Sequence, residues 1–112
     1  MRIRTWAGWN MPMERIVPSP EQEHAAVMLR ALGHPVRLAI TYYIVQHPGC
    51  ICNDLVVRFG RAQATISQHL AILRRAGIIA AERDGHMTCY VVDDVALTGL
   101  LEQMHTLCSA AA

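Results

Sequence analysis

The stretch Gln63-Ala64-Thr65-Ile66-Ser67-Gln68-His69-Leu70-Ala71-Ile72-Leu73-Arg74-Arg75, followed by Gly77 and two short apolar runs, decides how this chain reads. Ile66, Leu70 and Leu73 recur at i, i+4 and i+7, a single apolar stripe of a helix. Roughly opposite lie Ala64, Thr65, Gln68, Ala71 and Arg75, with Ser67 on the flank. A solvated helix more often carries Glu and Lys there, for i,i+4 pairing. A face of small, amide- and hydroxyl-bearing side chains instead suits a major groove, where it can hydrogen-bond base edges and leave the arginines for phosphates. The stretch reads as a recognition helix.

Downstream, Ile78–Arg83 and Thr88–Val92 are rich in β-branched and apolar residues and bracket Asp84-Gly85, a strong hairpin signal. Upstream, Ser19-Pro20-Glu21-Gln22 starts a helix, with Ser at the N-cap, Pro at the first position and Gln at the third. It runs to about Leu32, shows Ala25, Met28, Leu29 and Leu32 on one face, and stops at Gly33. Pro35 opens a second helix, Val36 to about Gln46, which His47-Pro48-Gly49 ends. A third spans Asn53–Phe59, and Gly60 separates it from the recognition helix. After the hairpin, Asp93 or Asp94 caps a last helix to about Cys108, with Leu97, Leu100, Leu101, Met104, Leu107 and Cys108 on a broad apolar face. The expected fold is mainly α with a β-hairpin wing (α+β), in the order ααααββα: a winged helix-turn-helix. Residues 1–18, with Trp6, Trp9, Pro12 and Pro18 at no clear period, read as a flexible N-terminal arm ahead of a domain over 19–112.

A chain of 112 residues that is 53% hydrophobic and 17% charged makes one rather greasy domain, which suggests apolar surface buried between subunits. The first and last helices carry the surplus, so a homodimer through them is expected; two-fold pairing also sets recognition helices at half-site spacing. No run reaches membrane-spanning length and the N-terminus lacks a signal-peptide pattern, so a cytoplasmic protein without a membrane partner is expected. Net charge is only +1, yet from Arg58 to Arg83 five arginines face one acid, Glu82. No Ser-His-acid set, phosphate-binding glycine loop or histidine-metal triad stands out, so an enzyme is not expected.

Three motifs in order carry a family resemblance. Leu32-Gly33-His34-Pro35-Val36-Arg37-Leu38 resembles the opening of the ArsR/SmtB repressors, Gln63–Leu70 their recognition-helix signature, and Leu73-Arg74-Arg75-Ala76-Gly77-Ile78-Ile79 their passage into the wing. The likeness covers about residues 20–108. It implies a homodimeric repressor that holds a palindromic double-stranded operator and releases it when an inducer binds. Carried over by position, the DNA contacts would be Gln63, Ala64, Thr65, Ser67 and Gln68, with Arg83 and His86 on the wing; Arg74 joins them as a phosphate-directed arginine. The family usually has a Ser N-cap before the Gln and a Pro after it, where this chain has Ala62 and Ala64.

The cysteines bear on the inducer. Cys50-Ile51-Cys52 resembles the start of the metalloid site in arsenic-responsive members. Thiolates are soft, and two of them one residue apart can chelate a soft ion if they leave the chain on one side. As(III) takes three thiolates, whereas Zn(II), Cd(II) or Pb(II) take three or four ligands. The further Cys of arsenic-responsive members falls on Val56 here, so a third ligand must be Cys108, the less favoured Cys89, or a residue of a partner subunit. The plain alternative makes Cys50 and Cys52 small apolar residues beside a turn, and Cys89 a packing residue of the wing. The family's other site, acids and histidines on the last helix, is absent: after Asp94 its positions fall on Ala96, Leu107 and Ala110. His105 stands one turn before Cys108, but a lone helical histidine is usually a surface residue.

Three functions compete. The first is a repressor released by a thiophilic ion, As(III) foremost, with no cofactor required. In the second, Cys50 or Cys52 pairs with Cys108 under an oxidant or persulfide. The third is a protein-interaction winged helix with no DNA role, which the small polar face of Gln63–Arg75 argues against.

Overall fold

A computed structural model describes residues 14–112, so Trp6, Trp9 and Pro12 of the expected arm lie outside the described residues. Glu14–Pro18 is exposed and belongs to no helix or strand. Helix α1, Pro20–Leu32, starts as its sequence dictates: Ser19 Oγ accepts from the Gln22 amide at 3.1 Å, and Gln22 Oε1 accepts from the Ser19 amide at 2.9 Å. Its inward face is Ala25, Met28 and Ala31, one position away from the expected set, so Leu29 is exposed.

Helix α2, Pro35–Gln46, is capped by His34, whose Nδ1 accepts from the Val36 amide at 3.1 Å. Arg37 turns back to donate to the carbonyls of Ala31 at 2.6 Å and Arg30 at 3.3 Å. Those are last-turn carbonyls of α1, without partners inside their own helix, so one guanidinium both caps α1 and fixes the α1–α2 corner.

Next comes a strand that the sequence pattern does not announce. Strand β1 is Cys50–Ile51, and it pairs antiparallel with the wing, Cys50 opposite Tyr90 and Ile51 opposite Cys89. Two residues are too few to show a period of two, and the partner lies far along the chain. Helix α3 therefore begins at Cys52, not Asn53, and ends at Phe59. Its start is held by Asp54, whose Oδ2 accepts from the Ile51 amide at 2.9 Å. Gly60 follows at φ 61°, the left-handed geometry that lets the chain turn directly into α4, Gln63–Arg75.

Strands β2, Ile79–Asp84, and β3, Met87–Val92, form the hairpin, and the sheet order is β1-β3-β2. The connecting residues are Gly85-His86, one place beyond the expected Asp84-Gly85, because Asp84 and Met87 are ladder partners. Within this two-residue turn only Gly85 has positive φ, at 62°, as in a turn with glycine at its first central position. Helix α5, Asp94–Ala111, outruns the expected end and is capped by Asp93, whose Oδ1 accepts from the Ala96 amide at 3.0 Å.

The fully buried side chains come one or two from each of α1 to α4, Met28, Ile40, Ile44, Leu55, Ile66 and Leu73, joined by Ile78 just before β2. Each such side chain contributes about 1.5–3 kcal/mol relative to exposure. Helix α4 thus sits on α3 with its stripe wholly engaged. Helix α5 buries only Leu100, and its Leu101 and Leu107 stay 68% and 64% exposed.

Candidate nucleic-acid interface and thiol cluster

Burial divides the surface of α4 into three strips. Ile66, Leu70 and Leu73 point inward, and directly opposite, Ala64, Gln68, Ala71 and Arg75 are exposed. Gln63, Ser67 and Arg74 form an exposed flank on the side of α3 and the sheet. On the other flank Thr65, His69 and Ile72 are half-buried. Thr65 is therefore not on the outermost face where helical spacing first set it. The remaining expected contacts on this helix, Gln63, Ala64, Ser67, Gln68 and Arg74, all reach solvent.

Ala62 at the N-cap of α4 offers no side-chain bond, so the first amides of the helix lack a capping partner. That leaves donors and the positive end of the helix dipole at the mouth of the polar face, a disposition suited to phosphate. At the far end Arg74 and Arg75 are exposed, with Arg75 Nε on the Ala71 carbonyl at 3.3 Å. Arg83 and His86 are exposed at the wing tip, though Glu82 and Asp84 beside Arg83 leave that tip far less basic than α4. Of these two exposed surfaces, α4 is the more basic.

The inner flank of α4 is tied to α2. The rings of His69 and His34 lie 4.8 Å apart, tilted by 49°. His69 Nδ1 is buried with no hydrogen-bond partner. Burial, and then His34, Arg37 and Arg61, hold the His69 imidazole below the usual histidine range. Sequence reading gave His34 only a place in a motif; its position just before Pro35 was the available signal for a capping role.

The cysteines differ in burial and setting. All four are free thiols. Cys50 is buried in β1, and burial, with Asp54 next, pushes its thiol up from the usual cysteine range. Cys52 is half-buried at the first turn of α3, its Sγ 3.8 Å from Ser67 Oγ of α4. Tyr90 belongs to the same corner: its hydroxyl is raised by burial first and by Cys52 second, with Arg74 pulling the other way. Directly opposed strand residues share a face and successive ones alternate, so Cys50 goes with Tyr90 while Cys89 goes with Ile51 on the reverse face. Cys108 is exposed near the end of α5. Among the described residues no three His, Cys, Asp or Glu side chains gather closely enough to hold a metal ion.

Against known proteins, residues 34–81, from the cap of α2 into β2, match the family described as bacterial regulatory protein, arsR family. The chain is 33% identical over 79 residues to the HTH-type transcriptional regulator YgaV of Escherichia coli, which covers 70% of this chain and 80% of that protein. The chain belongs to the arsR family. Another relative, the HTH-type transcriptional repressor SmtB of Mycobacterium tuberculosis, is 37% identical over 79 residues, 69% of this chain but only 58% of its own length. The same fold appears in the homodimeric winged helix-turn-helix DNA-binding domain of a possible ArsR-family regulator from Mycobacterium bovis, at TM-score 0.63 and 24% identity over 80% of this chain and 87% of that one. The family is one of bacterial regulatory proteins, and the matching relatives are transcriptional regulators, not enzymes. No helix among the described residues is long and apolar enough to cross a membrane.

Proposed function

We propose that this arsR-family protein is a homodimeric repressor that grips operator DNA with α4 and the wing, and lets go when its cysteines take up a thiophilic ion, As(III) first. The output half rests on one observation: α4 keeps its whole apolar stripe inside the protomer while Gln68 and its small neighbours, between uncapped amides and exposed arginines, face solvent. Gln63, Ser67 and Gln68 are suited to base edges, and Arg74, Arg83 and His86 to the backbone.

Pairing supports the dimer. An open groove of about 390 Å³ runs between α1 and α5, lined by His24, Ala25, Met28, Ala96, Gly99 and Leu100. Exposed Val95, Leu101 and Leu107 extend the apolar surface along α5. The M. bovis relative is itself a homodimer.

For the input, Cys50 and Cys52 supply two thiols at the start of α3. As(III) needs a third, which a second copy of the chain can bring through its exposed Cys108. Cys89, on the reverse face of the ladder from Cys50, is poorly placed for that part. Exposure of Cys108 also favours the second reading, in which a thiol oxidant or persulfide links it to Cys52.

Two measurements test this. The reduced protein should be retained on its own promoter DNA with a steep loss as salt rises; salt-insensitive binding or none points to a protein-interaction module. As(III) or Cd(II) titration should release the DNA, and Cys50→Ser/Cys52→Ser should abolish that release. Release that persists in this double variant overturns the ion-binding role of the pair.

A further inference from the structure

The open groove between α1 and α5 lies where the N-terminal segment joins the domain. It holds about 390 Å³, within the range of about 300–1,000 Å³ typical of sites that enclose a ligand-sized group. Buried Ala25, Met28 and Leu100 line it, so its interior is apolar. Gly99 leaves a gap in the α5 wall, where an added Cβ would meet nothing within 4 Å. The surroundings are acidic. Glu21 lines the groove itself, and Asp94 and Glu102 line a depression that shares Gly99 with it. Neither lining holds an arginine.

Residues 1–13, Met-Arg-Ile-Arg-Thr-Trp-Ala-Gly-Trp-Asn-Met-Pro-Met, have the complementary chemistry. They contain both tryptophans of the chain, with Arg2 and Arg4 and no acid. Pro20, which follows the segment and the link Glu14–Ser19, is itself part of the groove lining. Ile16 and Val17 in that link are 95% and 76% exposed, so no described element holds the link away from the groove. Length is ample: the eleven residues from Trp9 to Pro20 reach up to about 36 Å, whereas α1 rises only about 12 Å from Pro20 to Met28.

We propose that residues 1–13 dock in the α1–α5 groove of their own chain, tryptophan against Ala25, Met28 and Leu100, and Arg2 and Arg4 towards Glu21, Asp94 and Glu102. An indole so placed takes roughly 150–250 Å² out of water, and the ion pairs set its direction in the groove. The short link favours the chain's own groove over a second copy's. A filled groove joins α1 and α5 into one continuous surface, the surface assigned above to pairing. Leu101 stays available to a second copy, because it lines a separate depression with Val91 and Leu97. The docking needs one chain only and does not depend on the repressor reading.

Because both tryptophans lie in the segment, tryptophan emission of the full-length protein reports this segment alone. The native chain should emit at shorter wavelength than a synthetic peptide of residues 1–13, and acrylamide should quench it at least threefold less. Gly99→Leu fills the groove from the α5 side and favours helix, so both readings should move to those of the peptide with circular dichroism unchanged. Glu21→Gln/Glu102→Gln should raise quenching about twofold at low salt, and added salt should do the same to the native chain. Dilution through dimer dissociation, followed by sedimentation, should leave the emission unaltered. Peptide-like emission from the native chain overturns the inference, as does shielding that survives Gly99→Leu. Shielding lost together with the dimer also overturns it, by assigning the segment to a second copy. None of these results touches operator binding, whose own test is salt-dependent retention on promoter DNA.

Discussion

Helices α4 and α5 look alike in sequence and differ in what the protomer does with them. Both present an apolar face at helical spacing. Helix α4 buries Ile66, Leu70 and Leu73 in its own subunit, while α5 buries Leu100 alone and leaves Leu101 and Leu107 in solvent. One protomer therefore completes α4, with its polar strip aimed by a fully engaged stripe. Among the described residues, nothing covers the rest of the apolar surface of α5.

The largest expected effect breaks that contrast directly. Leu73→Ala empties a fully buried site and should cost about 2–5 kcal/mol in urea unfolding, whereas Leu107→Ala should cost under about 0.5 kcal/mol in a dilute, monomeric sample. Equal losses would show that α5 is as much a part of the protomer core as α4. Next, Gln68→Ala should remove about 1–3 kcal/mol of discrimination between operator and mismatched duplex, measured by competition binding. An unchanged specificity ratio would move base reading away from the centre of the α4 face. Leu101→Asp should raise the dimer dissociation constant at least tenfold in sedimentation equilibrium, or about 1.4 kcal/mol, with unaltered helicity. A dimer indifferent to this change would place the subunit contact elsewhere.

Two smaller tests sharpen the account of α4. Ala62→Ser supplies the missing N-cap and should stabilise the protein by about 0.5–1 kcal/mol by denaturant titration. If the uncapped amides serve DNA phosphate, the same substitution should weaken operator binding slightly; tighter binding would count against that role. The last test is a slope. His69 has a depressed imidazole in the folded state, so the unfolded chain binds the proton more readily. Its contribution to stability is fully present above the ordinary histidine pKa and is lost as pH falls below about 6.5 towards the folded value. His69→Gln should flatten the stability profile below about pH 6.5 relative to the native chain, and an unaltered slope would refute the assignment.

Much of the fold was legible because its signals are local. The capping box at Ser19, the Pro35 start, the Gly60 break and the 3.6-residue spacing of α4 depend on neighbours within a turn, and each came out where the sequence placed it. Errors fell where distant partners decide. Strand β1 exists because Cys50 and Ile51 find Tyr90 and Cys89 in the wing. The hairpin turn moved by one residue because the ladder pairs Asp84 with Met87. On α1, Ala31 went inward and Leu29 outward because the face that α2, α4 and α5 pack against selects among adjacent apolar positions, and hydrophobicity alone does not.

By itself, then, the sequence determined a winged helix-turn-helix of the arsR family with a small polar face on its recognition helix, since periodicity, caps and motif order are properties of contiguous residues. Only the tertiary structure decided which flank of that helix turns towards α3, that His69 meets His34 across the α2 cap, and that Cys52 meets Ser67. Those contacts are set by packing angles and strand register, which sum interactions from elements far apart along the chain. No spacing within one helix encodes them.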